Sequence, residues 1–282
     1  MYRIVEARRY NSQVKRLTVE APRVAARARP GQFVMVRVDE RGERIPLTIA
    51  DSDAASGRVT IIFQEVGRST AMLGALEEGG VIADIVGPLG VPSHLEGLKR
   101  VCVVGGGLGC AIAYPQAKAL FGMGAHVEIV AGFRNASLVF LEEEMRAVSH
   151  KLTVCTDDGS NGCKGLVTDI LKASLEAGAA YDAVIAIGPL LMMKFVCLTT
   201  KPYAVPTVVS MNPIMVDGTG MCGCCRVTVG GAVKFACVDG PDFDGHLVDF
   251  DEAARRNTIY RAQEQQSLQD HICRGEERLH AQ

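Results

Sequence analysis

Net charge is what this sequence has least of. Thirty Lys and Arg face 32 Asp and Glu, leaving −2 at neutral pH. That balance gives no electrostatic footing for a nucleic acid or an anionic membrane as partner. Long apolar runs are also missing. A membrane-spanning helix needs about 18 or more uninterrupted apolar residues, and the longest stretches, residues 101–115 and 183–193, are broken by Gly or Pro. The opening MYRIVEARRY is polar and strand-like rather than a signal peptide. No internal repeat or low-complexity linker is visible. The six histidines (94, 126, 150, 246, 271 and 280) are scattered without ligand spacing. Neither a Ser/His/Asp set nor a carboxylate pair placed for hydrolysis stands out. The expectation is a cytoplasmic protein whose chemistry resides in cofactors.

A core is amply provided for. The chain has 282 residues, 48% hydrophobic and 22% charged, enough for one large domain or two to three small ones. Ten cysteines are present, and four of them fall in DGTGMCGCCRVTVGGAVKFAC, residues 217–237. In a reducing compartment such a cluster points to metal binding or redox work before disulfides.

Two patterns divide the chain. Up to about residue 95, six short β-rich runs (YRIVEARRY, VKRLTVEA, QFVMVRV, IPLTIADS, RVTIIFQEV and GVIADIVG) alternate with turn formers. They predict a small antiparallel barrel with one helix, STAMLGALEE. From about Lys99, strands alternate with helices: RVCVVGG, CAIAYPQAKALFGMG, HVEIVAGF, SLVFLEEEMRAVS, KLTVCTDD, LVTDILKASLEAG, DAVIAIG, PLLMMKFVCLTT and PTVVSMN. This alternation predicts a parallel sheet covered on both faces. The cysteine loop follows, then DEAARRNTIYRAQEQQSLQD as one helix and a polar tail from His271. The expected division is 1–97 barrel, 98–212 α/β domain, 213–250 cysteine segment and 251–282 helical arm.

VVGGGLGCA joins the first parallel strand to its helix. Glycines there let backbone approach a ligand, and the helix start offers free N–H groups to a phosphate. The dinucleotide fingerprint is incomplete, since its last glycine position is Cys110; a tight turn without ligand fits the same residues. RIPLT, residues 44–48, stiffens a strand with Pro46 and offers the Thr48 hydroxyl; Arg44 can meet a diphosphate as a bidentate donor. GRST, residues 67–70, precedes the helix candidate and suits a phosphate or plain turn chemistry.

Together these motifs resemble the ferredoxin–NADP reductase superfamily. ERIPLTIAD, VGRSTAML, GPLG, TDDGSNGCKGLVTD, IGPLLMMK and the C-terminal cysteine loop resemble one subgroup. It contains the small subunit of NADH-dependent reduced ferredoxin:NADP oxidoreductase and the related sulfide dehydrogenase subunit, with the dihydroorotate dehydrogenase electron-transfer subunit as a cousin. The resemblance implies FAD in the barrel, held by Arg44, Pro46, Leu47, Gly67, Arg68, Ser69 and Thr70, with Thr48 at the reacting ring edge. It implies NAD(H) at Gly106, Gly107, Gly109, Phe133, Arg134, Gly188 and Pro189. Arg134 also reads as a 2′-phosphate ligand or a solvated charge. Asp157 and Asp158, at a strand's carboxyl end, would repel a 2′-phosphate and favour NAD(H).

The cysteine loop reads as Asp217-x4-Cys222-x2-Cys225-x11-Cys237, the plant-type [2Fe–2S] register C-x4-C-x2-C with a distant fourth cysteine. Aspartate occupies the first position. The resembled small subunit also has one aspartate and three cysteines there, while the dihydroorotate dehydrogenase cousin has four cysteines. A structural zinc site is the competing reading, and Cys224 is the surplus thiol. The implied partner is a larger flavin and iron–sulfur subunit, resembling a glutamate synthase small subunit, with ferredoxin reached through the complex. The implied activity is electron bifurcation among NADH, NADPH and ferredoxin. Electron delivery to a sulfide or polysulfide reductase or a hydrogenase, and a non-catalytic zinc scaffold, are the alternatives.

Overall fold

A computed structural model describes residues 1–280 of the chain. Seven strands form the first sheet: β1 (Tyr2–Arg9), β2 (Val14–Glu20), β3 (Phe33–Arg37), β4 (Arg44–Asp53), β5 (Arg58–Gln64), β6 (Val81–Ile82) and β7 (Asp84–Leu89). Their order is β6-β1-β2-β5-β4-β3-β7. The sequence predicts six strands because GVIADIVG reads as one. It breaks at Ala83: β6 pairs with β1 at one edge of the sheet and β7 with β3 at the other. The chain thereby bridges the two edges and nearly closes the barrel, leaving the short β6 and β7 as its edges.

Period-two alternation sends Val34 and Val36 of β3 and Ile49 of β4 into the barrel core, beside Leu17, Ile61 and Phe63. Two short helices accompany the strands, α1 (Pro22–Ala25) and α2 (Arg68–Gly74). Lys15 is buried beneath α2. Its Nζ donates to the carbonyls of Gly74 (2.9 Å) and Leu76 (2.7 Å) and to Glu77 (2.6 Å). A cation at the helix's carboxyl end satisfies carbonyls that have no partner within the helix.

The second sheet holds β8 (Arg100–Gly106), β9 (His126–Phe133), β10 (Lys151–Thr156), β11 (Ala183–Ile187) and β12 (Thr207–Ser210) in the parallel order β10-β9-β8-β11-β12. Helices α3 (Gly109–Gly122), α4 (Glu142–Ala147), α5 (Val167–Glu176) and α6 (Leu190–Thr200) connect them. The helix expected over SLVFLEEEMRAVS is a 3-10 turn at Ala136–Leu138 followed by the short α4. Phe140 and Leu141 between them are buried, and Leu141 takes φ 58° to turn inward, which interrupts the helix.

The cysteine segment adds a hairpin, β13 (Arg226–Val229) and β14 (Ala232–Phe235), and then β15 (Asp242–Asp244). β15 pairs antiparallel with β12, so the second sheet is mixed rather than wholly parallel. One apolar cluster joins Phe33 and Met35 of the barrel, Val104 and Val184 of the second sheet, and Cys225, Ala236 and Cys237. The helix predicted over residues 251–270 is two: α7 (Phe250–Arg256), capped by Asp249 through the Glu252 amide at 2.8 Å, and α8 (Arg261–His280). A turn at residues 257–260 separates them, and the tail from His271 continues α8. No helix among the described residues is long and apolar enough to cross a membrane.

Candidate functional site

Strand register decides which residues of RIPLT face outward. Arg44, Pro46 and Thr48 lie on one face of β4, opposite Arg37, Met35 and Phe33 of β3, while Ile45 and Leu47 pack against the barrel core. Of the five, Leu47 therefore turns away from any ligand on the outer face. The Thr48 hydroxyl engages no hydrogen-bond partner among the described residues, so it is free to meet a ring edge. Arg44 is half exposed and donates to Asp84 of β7 at 2.9 Å, a pairing invisible in the sequence pattern.

In GRST, the Thr70 hydroxyl closes the start of α2. It accepts from the amides of Val66 and Gly67, each at 3.0 Å, and donates to the Gly67 carbonyl. Thr70 thus builds the turn, while the Ser69 hydroxyl and Arg68 engage no partner among the described residues. A flavin fits this donor set: an apolar wall at Pro46 and free hydroxyls at Thr48 and Ser69.

The glycine turn joins β8 to α3. Gly107 has φ 55°, and nothing lies within 4 Å of where a Cβ would be. Its amide donates to Gly132 at 2.8 Å, and the amides of Leu108 and Gly109 have no backbone acceptor. Two orphan N–H groups at the start of a four-turn helix suit a pyrophosphate. Gly109 is required for another reason. A Cβ there would strike the Ile187 carbonyl and stand 2.6 Å from its carbon and 2.7 Å from the Gly188 Cα. Gly106 and Gly188 also approach each other, with Met192 lying over both. The structure therefore gathers Gly106, Gly107, Gly109, Gly188 and Pro189 at the carboxyl edge of the sheet.

Phe133 lies elsewhere in effect. Its ring is buried against Phe140, with centroids 5.8 Å apart, so only its backbone is available: its carbonyl accepts from Asp157 at 3.0 Å. Arg134, Asp157 and Asp158 are exposed at the same edge. The Ser160 hydroxyl and amide hold the Asp158 carboxyl below the usual carboxylate range.

The cysteine loop divides into an inner and an outer half. Cys225 and Cys237 are each 2% exposed, and the Cys225 thiol donates to Cys237 across 3.2 Å. Burial, then the neighbouring Cys225 thiol, pushes Cys237 up to about 12. Asp217 and Cys222 lie toward solvent. Asp217 Oδ2 accepts from the Thr219 hydroxyl (2.6 Å), the Thr219 amide (2.9 Å) and the Met221 amide (3.3 Å). Those bonds, the Thr219 hydroxyl first, hold its carboxyl below the usual range. No three His, Cys, Asp or Glu side chains among the described residues converge closely enough to hold a single metal ion.

The donor set fits a two-iron cluster better than one zinc. Two thiolates on one tetrahedral metal at about 2.3 Å stand about 3.8 Å apart, close to the Cys225–Cys237 spacing, while Asp217 and Cys222 form a second, outer pair. Binding would deprotonate the thiols.

Met35 was missed as a site residue. It faces Pro46 in register, and a Cβ on Gly218 (φ 82°) would stand 2.7 Å from its Cγ. The signal was the run QFVMVRV, apolar on both faces, which marks a strand buried on both sides.

Comparisons with known proteins bear on the same features. Residues 212–249 match the iron–sulfur cluster binding domain of dihydroorotate dehydrogenase B. The chain is 52% identical over 272 residues to an uncharacterised protein of Clostridium beijerinckii from the adh 3′ region, covering 94% of this chain and 92% of that one. It is 48% identical over 251 residues to a dihydroorotate dehydrogenase B (NAD(+)) electron transfer subunit homolog of Thermotoga maritima, covering 89% and 88%. Among solved structures it resembles a chain of NADH-dependent reduced ferredoxin–NADP oxidoreductase, with TM-score 0.91, 45% identity, and 96% and 98% covered. A barrel with a glycine-turn α/β domain and a cysteine loop docked between them, carried by these similarities, means that the chain belongs to the electron transfer subunit family of dihydroorotate dehydrogenase B, within the ferredoxin–NADP reductase-like superfamily.

Proposed function

We propose that this chain exchanges hydride between NAD(H) and FAD and passes single electrons through a [2Fe–2S] cluster to a larger partner subunit. It is an oxidoreductase subunit, and its cofactors are FAD, a [2Fe–2S] cluster and NAD(H). The flavin turns a two-electron hydride into one-electron steps that the cluster can carry. The chain's own residues bind and orient. Thr48 offers its hydroxyl to the flavin ring edge, Pro46 walls the ring, and Arg44 with residues 67–70 takes the diphosphate side. The amides at Gly107 to Gly109 take the nucleotide pyrophosphate, and Gly188 and Pro189 flank the nicotinamide. Asp157 and Asp158 disfavour a 2′-phosphate by like-charge repulsion. Asp217, Cys222, Cys225 and Cys237 hold the cluster.

The observation that carries this reading is Met35. It is the cross-strand partner of Pro46, and its side chain lies against the start of the cluster loop at Gly218. The strand that would wall the flavin and the loop that would hold the cluster thus meet at one side chain. Within this reading the chain works as the four segments 1–97, 98–212, 213–250 and 251–282. The partner carries a second flavin and further clusters, and the complex bifurcates electrons among NADH, NADPH and ferredoxin.

The test uses the purified chain with its cofactors. Flavin bands, a dithionite-bleachable iron–sulfur shoulder and dye reduction faster with NADH than NADPH are expected. A colourless zinc protein would sink the whole reading; a preference for NADPH would reverse the nucleotide assignment alone.

A further inference from the structure

Between the cysteine loop and the α7–α8 turn lies a cleft lined by Cys222, Cys224, Arg226, Arg256 and Tyr260. Arg256, the last residue of α7, reaches across it. Its Nη2 donates to the carbonyl of Cys224 at 3.1 Å. That carbonyl lies in the middle of the Cys222-x2-Cys225 turn, between two residues assigned to the cluster. The Arg256 Nε is buried and has no hydrogen-bond partner among the described residues, and no carboxylate there pairs with the guanidinium. A guanidinium stays charged at every physiological pH. An uncompensated positive charge against a ligand-bearing turn favours the more negative, reduced form of whatever redox centre the turn holds, because net charge and solvent exposure are main levers on cluster potential.

We propose that Arg256 is a positioning residue for the cluster: it fixes the Cys222–Cys225 turn through the Cys224 carbonyl and raises the cluster's reduction potential with its charge. This rests on the cluster reading given above. Reduction adds one electron and breaks no bond, so the fixed cation acts on the equilibrium alone. The residue sits outside the C-x4-C-x2-C-x11-C register, thirty-two positions after Cys224 in sequence, and only the fold brings it to the loop.

The experiment is a mediated redox titration of the full chain with its cofactors, followed by EPR, with iron and acid-labile sulfide measured first. Iron release to a chelator is timed in parallel. Arg256→Gln is expected to lower the reduced-to-oxidised ratio at a fixed potential about tenfold, which is 59 mV for a one-electron couple. It should also release iron faster. Arg256→Lys keeps the charge but not the planar fork. Its potential should return most of the way to the parent's while its iron release stays fast. A Gln variant with the parent's potential and the parent's iron release overturns the proposal and leaves the cluster reading intact. Should the Gln variant lose its iron during purification, the Lys variant decides, and parent-like iron release there overturns the proposal. A parent protein without iron and sulfide overturns both the cluster reading and this inference.

Discussion

Replacing Gly109 by alanine tests the nucleotide turn most sharply. The new Cβ would stand 2.6 Å from the Ile187 carbonyl carbon and 2.7 Å from the Gly188 Cα. Carbon atoms prefer about 3.5–4.0 Å, so the start of α3 must retreat from β11 by about 1 Å. Both neighbours are main chain and cannot swing aside like a side-chain tip. Overpacking of this kind costs about 1–3 kcal/mol, which lowers Tm by about 5 °C in a chain of this size. The same retreat separates the Leu108 and Gly109 amides from Gly188 and Pro189, and a misplacement of about 1 Å can cost on the order of a hundredfold in rate. Thermal melting should therefore show the destabilisation, and NADH-dependent dye reduction should fall steeply while flavin and iron content stay at parent levels. Gly107→Asn is the control. A Cβ there meets no atom within 4 Å, and Asn tolerates the left-handed backbone, so its Tm should stay near the parent's. A Gly109→Ala protein with the parent's Tm and KM for NADH would refute the steric account of the turn.

Asp217→Cys should retain the cluster but change its EPR g-values and midpoint potential, since the ligand set tunes potential; Cys224→Ser should change little. Parent-like EPR in Asp217→Cys, with iron lost in Cys224→Ser, would make Cys224 the fourth ligand. A separate expectation concerns Asp242 of β15, which meets Ser93 and Gln116 where barrel, α3 and cysteine segment join. Burial, the largest cause, raises its carboxyl above the usual range; Ser93, Ser210, Gln116 and His94 oppose it. A raised carboxyl favours folding below its unfolded value and loses that contribution as pH climbs through the folded value. Melting curves between about pH 4 and 7 should show Asp242→Asn gaining on the parent as pH rises, and parallel curves would contradict the shift.

Much of this molecule is readable along the chain. The barrel strands announce themselves by alternation, the nucleotide sheet by strands alternating with helices, and the glycine turn and C-x4-C-x2-C register by spacing. These are local signals, set by side-chain period and backbone permissiveness. Errors arise where burial competes with local preference. SLVFLEEEMRAVS has helical composition, yet Phe140 and Leu141 turn inward and split it. GVIADIVG has one strand's composition, yet its halves pair at opposite edges of the barrel. The polarity of DEAARRNTIYRAQ hid the turn at residues 257–260.

By itself the sequence determined the two architectures, and it pointed to the glycine turn and the Asp-x4-Cys-x2-Cys donor register as candidate sites, because each depends on residues near one another in the chain. Only the tertiary structure decided that Leu47 and the Phe133 ring face inward, that Arg44 pairs with Asp84, that Met35 stands between Pro46 and Gly218, and that Arg256 reaches Cys224. Apart from the Phe133–Phe140 pair, those contacts join residues from 11 positions apart, Met35 and Pro46, to 183 apart, Met35 and Gly218. No periodicity carries over such separations; packing one apolar face against another selects the partners, and the selection exists only once the chain has folded.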